Sequence, residues 1–351
     1  MRKTLLFLVA VAILVPIVVA RAQAQKPLDI YYIDTEHGKA VLYVSPSGQS
    51  VLVDAGNTAD GRDPTRILAV FKEAGVRVLD YLVISHYHGD HVGGAAELIS
   101  KMQIRQFLDH GPYTVQFLPN ARAAFEAYLA LRKIANAAQA KAGTKIPIKG
   151  IDMTVMSSAR ELMTAPLPGA GAPNPLCRDF VPKEDVRGVE NDESVTLTTQ
   201  YGNFRVVDPG DLIGNQEHDL VCPNNLVGTA DVLATTGHGQ EFGNWPVWVH
   251  AVRPRITVMN NGPNDKQGPT FRTYRSSPGF EDFWQVHASD AQKDENSPEP
   301  FIANVDATPT HAGNYIKISA MPDGSFTVTN SRNGFKKEYP ATKKTTSSTR
   351  R

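Results

Sequence analysis

The chain has 351 residues, 41% of them hydrophobic and 21% charged, with 36 basic and 36 acidic residues, an ordinary globular composition that fits one large domain or two small ones. The zero net charge hides an acidic body: residues 25–340 carry 29 bases against 36 acids, or −7. Such a balance argues against a surface built for non-specific binding to a phosphate backbone.

Residues 1–24, "MRKTLLFLVAVAILVPIVVARAQA", set Arg2 and Lys3 before an apolar run from Leu5 to Ala20, followed by Ala22-Gln23-Ala24. That order of charge, short apolar core and small-residue exit predicts a cleaved secretory signal peptide. The run is short for a membrane span and Pro16 interrupts it. No other long apolar run exists, so the mature chain is expected to be exported, periplasmic or secreted, with no stable membrane span.

From Leu28 strands and helices alternate. "LDIYYID" reads as a first strand, and "AVLYVSP" and "SVLVDAG" as a hairpin across Ser47-Gly48-Gln49. "DPTRILAVFKEAG" reads as a helix with Asp63 as N-cap, Pro64 in the first turn and Gly75 as its stop. "VLDYLVIS" has the continuous apolar pattern of a buried strand, and "VGGAAELISKM" that of the next helix. A further helix is expected from an Asn120 cap to about Ala142. Six Lys/Arg within 121–150 against Glu126 make its polar side a candidate phosphate-facing surface or a plain solvated face. "APLPGAGAPNPLC" is a Pro/Gly-rich surface loop. Strands resume with "SVTLTTQ", "FRVVDPGD", "ADVLATTGHG" and "RITVMNNG", and "YIKISAMPDGSFTVTN" closes as a hairpin. The division expected is a signal peptide at 1–24, one domain at 25–337 with a helical insert near 110–190, and a disordered basic tail at 338–351. Cys177 and Cys222 lie in Pro-rich loops, where an exported protein can join them as one disulfide.

Between the buried strand and its following helix stands "HYHGDH", with His86, His88, Asp90 and His91. Side chains two apart on an extended segment point the same way, so His86 and His88 can reach one ion. After the turn at Gly89, Asp90 and His91 can serve a second. Imidazole nitrogen with carboxylate oxygen suits Zn²⁺, with Mn²⁺ or Fe as alternatives, and no cysteine lies nearby to make a closed structural site.

This H-x-H-x-D-H motif resembles that of the metallo-β-lactamase fold superfamily. Within it the chain looks most like the nuclease-type domain of ComEC competence proteins. The opening segment ending in Asp54-Ala55-Gly56 resembles theirs, as do Asn191 and Ser194 of an Asn-x-x-Ser strand, the Gly210-Asp211 turn, and the later Asp-x-Leu, His-Gly and Arg-Pro segments. The resemblance implies an α/β fold, a four-layer αββα sandwich, with two divalent ions at one edge. It implies Asp211 as the bridging ligand, His238 as partner of Asp90 and His91, and Asp54 as support for an imidazole. Asn191 and Ser194 would support the site from their strand. Two departures stand out. The usual third histidine of the first site is missing, leaving His110 or Asp192 as candidate helpers. Where the competence proteins have Gly-Gln-Gly-Asp, this chain has Glu36-His37-Gly38-Lys39, which replaces an acid by a base and adds an imidazole.

The function implied is hydrolysis by water activated between two cations, with Asp90 orienting the nucleophile and His37, His110 and Lys39 as candidate acids. The substrate expected is a phosphodiester or related small ester. A lactone or β-lactam on the same site is the alternative, and a non-catalytic binding module with a partly degraded metal site is a third. His218, His250, His287 and His311 are isolated in sequence and are expected to be structural, as are the tryptophans of "WPVWVH".

Overall fold

A computed structural model describes residues 25–113, 122–181, 189–265, 267–306 and 313–342. Residues 1–24, where a signal peptide is expected, and Asn120, His311 and the end of the basic tail lie outside these residues. Two nine-stranded sheets face each other. The first runs, in spatial order, from Lys336–Tyr339 through Phe326–Asn330, Ile316–Ala320, Leu28–Tyr32, Val41–Val44, Ser50–Val53, Val78–Val83 and Gln103–Asp109 to Ala137–Gln139. The second is centred on Asp152–Ser158, Thr196–Tyr201, Phe204–Asp208, Val232–Leu233, Ile256–Met259 and Asp282–His287.

Alternation within the strands builds the layers. In Leu28–Tyr32, Leu28, Ile30 and Tyr32 enter the core between the sheets, where they meet Val155, Leu197, Val206, Ile256 and Trp284 from the second sheet. Tyr31 turns to the opposite face and joins a core with Ile67, Phe71, Leu98 and Phe125 from the helices outside the first sheet. A third core, with Leu220, Trp245, Trp248 and Phe271, seals helices Gly214–Val221, Pro246–Val252 and Gly268–Arg275 onto the second sheet. The result is the expected four-layer αββα sandwich, and the tryptophans of "WPVWVH" are packing residues, 4% and 0% exposed.

Several boundaries differ from expectation. The first helix runs Arg62–Glu73 with Gly61 before it, so Asp63 lies inside the first turn. Its carboxylate turns back to accept the Asn57 N–H at 2.7 Å and the Arg62 Nε–H at 2.7 Å, bracing the loop before the helix instead of capping it. The helix expected to reach Ala142 is Arg122–Arg132, and the alanine-rich segment after it becomes the edge strand Ala137–Gln139. There the Phe107 N–H takes the Asn136 carbonyl at 2.9 Å; the waiting sheet edge overrides local helix propensity. The six basic residues do not share one helix: only Arg122 and Arg132 lie on it, where Arg132 pairs with Asp109 at 2.6 Å, and Lys145 pairs with Asp152 in the second sheet. Asp152–Ser158 is an integral strand of the second sheet, so 110–190 is only partly an insert. At the C-terminus the strand Lys336–Tyr339 crosses the boundary expected at 338.

Among the described residues no helix is long and apolar enough to cross a membrane. Cys177 and Cys222 are bonded, with Cα atoms 5.8 Å apart, and close a separation of 45 residues. Replacing both with serine should cost about 2–4 kcal/mol, read as a lower urea midpoint, because the unfolded chain regains the closed-loop entropy. An unchanged midpoint would show that the staple contributes nothing.

Candidate metal centre

The loops that carry the six expected ligands and Asp54 each leave the C-terminal end of a strand. Asp54 follows Ser50–Val53, His86 to His91 follow Val78–Val83, Asp211 follows Phe204–Asp208, and His238 follows Val232–Leu233. In a sheet with parallel strands, that edge is where free side chains gather on a rigid support. Two backbone contacts make the loops converge. Val195 N–H donates to Ser85 O at 2.8 Å, joining the two sheets beside the motif, and Gly237 N–H donates to Gly210 O at 3.0 Å. Gly210 has φ 57°, a left-handed conformation that glycine adopts without a Cβ clash, and it aims Asp211 inward. Asp54 (φ 63°) and His238 (φ 55°) hold the same conformation with side chains, a local strain of the kind concentrated at functional sites.

The geometry divides the six expected ligands into two sets. His86 Nε2 and His88 Nδ1 face each other at 3.0 Å, and one His86, one His91 and one Asp211 ligand atom lie within 4.8 Å of one another. On the other side His238 Nε2 lies 3.2 Å from both Asp90 Oδ2 and His91 Nε2, and His91 Nε2 is 3.6 Å from Asp90 Oδ2. Asp211 stands between the sets: its Oδ1 is 3.4 Å from His91 Nε2 and its Oδ2 3.7 Å from His238 Nε2. The far nitrogens are fixed. His91 Nδ1 donates to Asp54 Oδ2 at 2.9 Å and His238 Nδ1 to Asn260 O at 2.9 Å, which leaves Nε2 of each ring turned into the site.

The charges show what this arrangement lacks. Burial, with His91 and His88 beside it, pushes the His86 pKa well below the usual value, and burial and His91 lower His88. Burial opposes charge on His91 and His238 too, yet the Asp211 and Asp90 carboxylates raise His91 well above the normal range and His238 to about 9. Asp211 is held well below the carboxylate range despite its burial, because His91 and His238 face it. Its Oδ1 is buried without a hydrogen-bond donor. Buried carboxylates with inward-facing imidazole lone pairs call for cations, so the residues fit two divalent ions.

The remaining candidates are divided between support and other duties. Asp54 Oδ1 accepts Ser85 N–H at 2.7 Å, and its Oδ2 accepts Ser85 Oγ–H at 2.8 Å besides the His91 bond. Ser194 is buried, and its carbonyl accepts Ser157 Oγ–H at 2.8 Å. His110 is not a helper ligand: its ring is held by Glu190 at 2.9 Å and Glu193 at 3.1 Å. Asp192 likewise pairs with Arg160 at 2.7 Å. Both are corrections with one cause, since buried charges are taken up by their nearest opposite partners. Lys39 does not intrude on the ligands either. Its ammonium pairs with buried Asp208, and its backbone N–H donates to Asp90 O at 3.1 Å.

A cavity of about 520 Å³ opens over the centre, lined in part by His37, Asn57, His88, Asp90, Asp211, His238 and Phe242. His37 is half-exposed at its rim, its ring tilted 37° to that of His238 with centroids 5.1 Å apart. Its Nδ1 donates to Asp265 Oδ1 at 2.8 Å, which raises its pKa, and its Nε2 stands 3.9 Å from Asp90 Oδ2. Asp265, Glu190, Glu193 and Asn260 were invisible to sequence reasoning, because each acts on a residue far away in the chain.

Residues 34–123 match the model of the metallo-beta-lactamase superfamily, a span that contains the whole His86–His91 motif. Over that span the chain is similar to the superfamily. Among curated proteins it is similar to ComE operon protein 3 of Bacillus subtilis, 23% identical over 256 residues, which covers 68% of this chain and 29% of that protein. It is also similar to a UPF0173 metal-dependent hydrolase of Staphylococcus saprophyticus, 31% identical over 65 residues, covering 18% of this chain and 25% of the relative. The chain thus spans less than a third of these relatives' lengths. The metallo-beta-lactamase fold protein YhfI of Bacillus subtilis aligns at 12% identity and a TM-score of 0.43, over 73% of this chain and 96% of that one.

The imidazole behind the metallo-beta-lactamase motif offers a test of this electrostatic account away from the ligands. Burial opposes charge on His110, but Glu190 and Glu193 raise its pKa to about 9. The stabilisation is complete below about pH 6.5 and is lost as pH rises through about 9. His110→Gln should therefore cost on the order of 3 kcal/mol near pH 6 and much less at pH 10. Chemical denaturation across that range reads it, and a pH-independent deficit would contradict a charged His110.

Proposed function

We propose that the protein is an exported hydrolase that uses two divalent ions to cleave a phosphodiester or a related small ester. The observation that carries this is the convergence of His86 and His88 on one side, and Asp90, His91 and His238 on the other, around Asp211 beneath an open cavity. The similarity to the competence protein, which covers 68% of this chain, supports the phosphodiester reading. The acidic body favours a small substrate over long nucleic acid. Export is supported by the leader at 1–24 and by the Cys177–Cys222 bond, which persists in oxidising compartments.

Bound divalent ions supply the positive charge that acidifies water and stabilises developing negative charge on substrate oxygens. The chain's own groups do the rest. Asp211 and Asp90 place their carboxylates between the imidazole sets, and Asp54 and Asn260 hold the rings of His91 and His238 in the productive tautomer. His37, oriented through Nδ1 by Asp265, turns Nε2 toward the cavity, where it can donate a proton to a leaving oxygen. Phe242 and the helix residues Ala123 and Ala124 complete the wall. Pairing of Lys39 with Asp208 argues for an intact site rather than the degraded one of a binding module.

The test is a metal-reconstituted screen of bis-p-nitrophenyl phosphate, a lactone and a cephalosporin side by side. Phosphodiester turnover should depend on added metal, vanish with chelator, and fall by roughly a hundredfold or more in His86→Ala. Turnover of the lactone or cephalosporin alone would transfer the assignment to that class. Metal binding without turnover of any of the three would favour a binding module.

A further inference from the structure

The first ligand set is one donor short. His86 lies within 4.8 Å of Asp211 and His91, and His88 faces His86 at 3.0 Å, so with His91 assigned to the second set alongside Asp90, His238 and Asp211, the first set counts three donors: His86, His88 and the shared Asp211. His110 and Asp192, the residues that sequence offered to fill the gap, are spent on Glu190, Glu193 and Arg160. Asn191 remains. It lines the same cavity as His88 and Asp211, and its Oδ1 is buried with no hydrogen-bond partner among the described residues. A buried amide oxygen without a donor is unfavourable, and a bound cation would satisfy it.

The surroundings of Asn191 hold it in place. It belongs to the single turn Glu190–Glu193, whose three other side chains are all anchored. Glu190 accepts the Tyr87 N–H at 2.7 Å and binds His110, Asp192 pairs with Arg160, and Glu193 pairs with His110 and with Arg160 at 2.8 Å. The Tyr87 bond ties the turn directly to the backbone between His86 and His88. The anchored acids fix the turn's position, and the one residue without such a partner lines the cavity.

We infer that Asn191, through its side-chain oxygen, is the missing ligand of the first metal ion. This rests on the two-ion reading above and extends it. Each ion then has two imidazole nitrogens and two oxygens, with Asp211 common to both. The first ion has only the shared carboxylate for negative charge, so it is held more loosely than the second. Carbonyl oxygen also moves its preference away from Zn²⁺ toward harder ions such as Mn²⁺.

The experiment measures metal affinity, independent of turnover. His238→Ala should disable the second set and leave one Mn²⁺ or Zn²⁺ equivalent to titrate by calorimetry. In that background Asn191→Ala should weaken both metals roughly tenfold or more. Asn191→His should keep the ion and shift the Zn²⁺-to-Mn²⁺ preference toward Zn²⁺ by roughly tenfold, which a supporting residue would not do. If Asn191→His does not fold, Asn191→Asp should bind at least as tightly as the parent. A metal preference unchanged by histidine, or an aspartate variant as weak as alanine, would overturn the inference while leaving the hydrolase reading standing. Less than one metal equivalent in the unmutated protein would remove both.

Discussion

The Asp54 carboxylate carries the constraint on which the centre depends. Fully buried and held at φ 63°, it accepts bonds from the Ser85 backbone, the Ser85 hydroxyl and the His91 ring at once. Those three bonds fix the end of one strand against the exit of the next. They also set the His91 tautomer and the start of the motif. A left-handed backbone at a non-glycine residue costs about 1–3 kcal/mol, and the packed ends of Ser50–Val53 and Val78–Val83 hold it there.

From Asp54 outward, the site is a set of buried charges satisfied in pairs. Asp208 takes Lys39, Asp192 takes Arg160, Glu190 and Glu193 share His110, and Asp34 is matched by His287 at 2.7 Å and Arg66 at 2.9 Å. Such pairs add modestly to stability, but each becomes costly if one member is lost, so they keep the loops in place. Asp90 and Asp211 are different. Their nearest counterparts are imidazoles whose second nitrogens are already committed, which leaves a local demand for positive charge. Gly38 packs so near that a Cβ there would lie 2.6 Å from Asp90 O, so the loop carrying His37 is pressed onto the motif loop.

Much of this was legible in the chain because the chemistry is local. "HYHGDH" places four candidate ligands in six residues directly after an apolar strand, and periodicity alone locates that strand. Asp211 and His238 were legible through their order along the chain. What escaped were residues whose roles depend on tertiary meetings. The stretch around Asn191 and Ser194 was read for its Asn-x-x-Ser element and for Asp192 as a helper, but nothing local shows that Glu190, Asp192 and Glu193 are buried against His110 and Arg160. Asp265 sits in an Asn/Asp-rich loop with no local sign that it would orient His37. The alanine-rich segment after Arg132 misled for the same reason, since its state is decided by the sheet edge beside it.

The most direct measurement is anomalous diffraction at the metal edge from crystals grown with Mn²⁺. Two peaks roughly 3.5–4 Å apart are expected, one against His86 and His88, one against Asp90, His91 and His238, with Asp211 between them. A single peak, or metal only at the buried His110, Glu190 and Glu193 group, would contradict a two-ion centre.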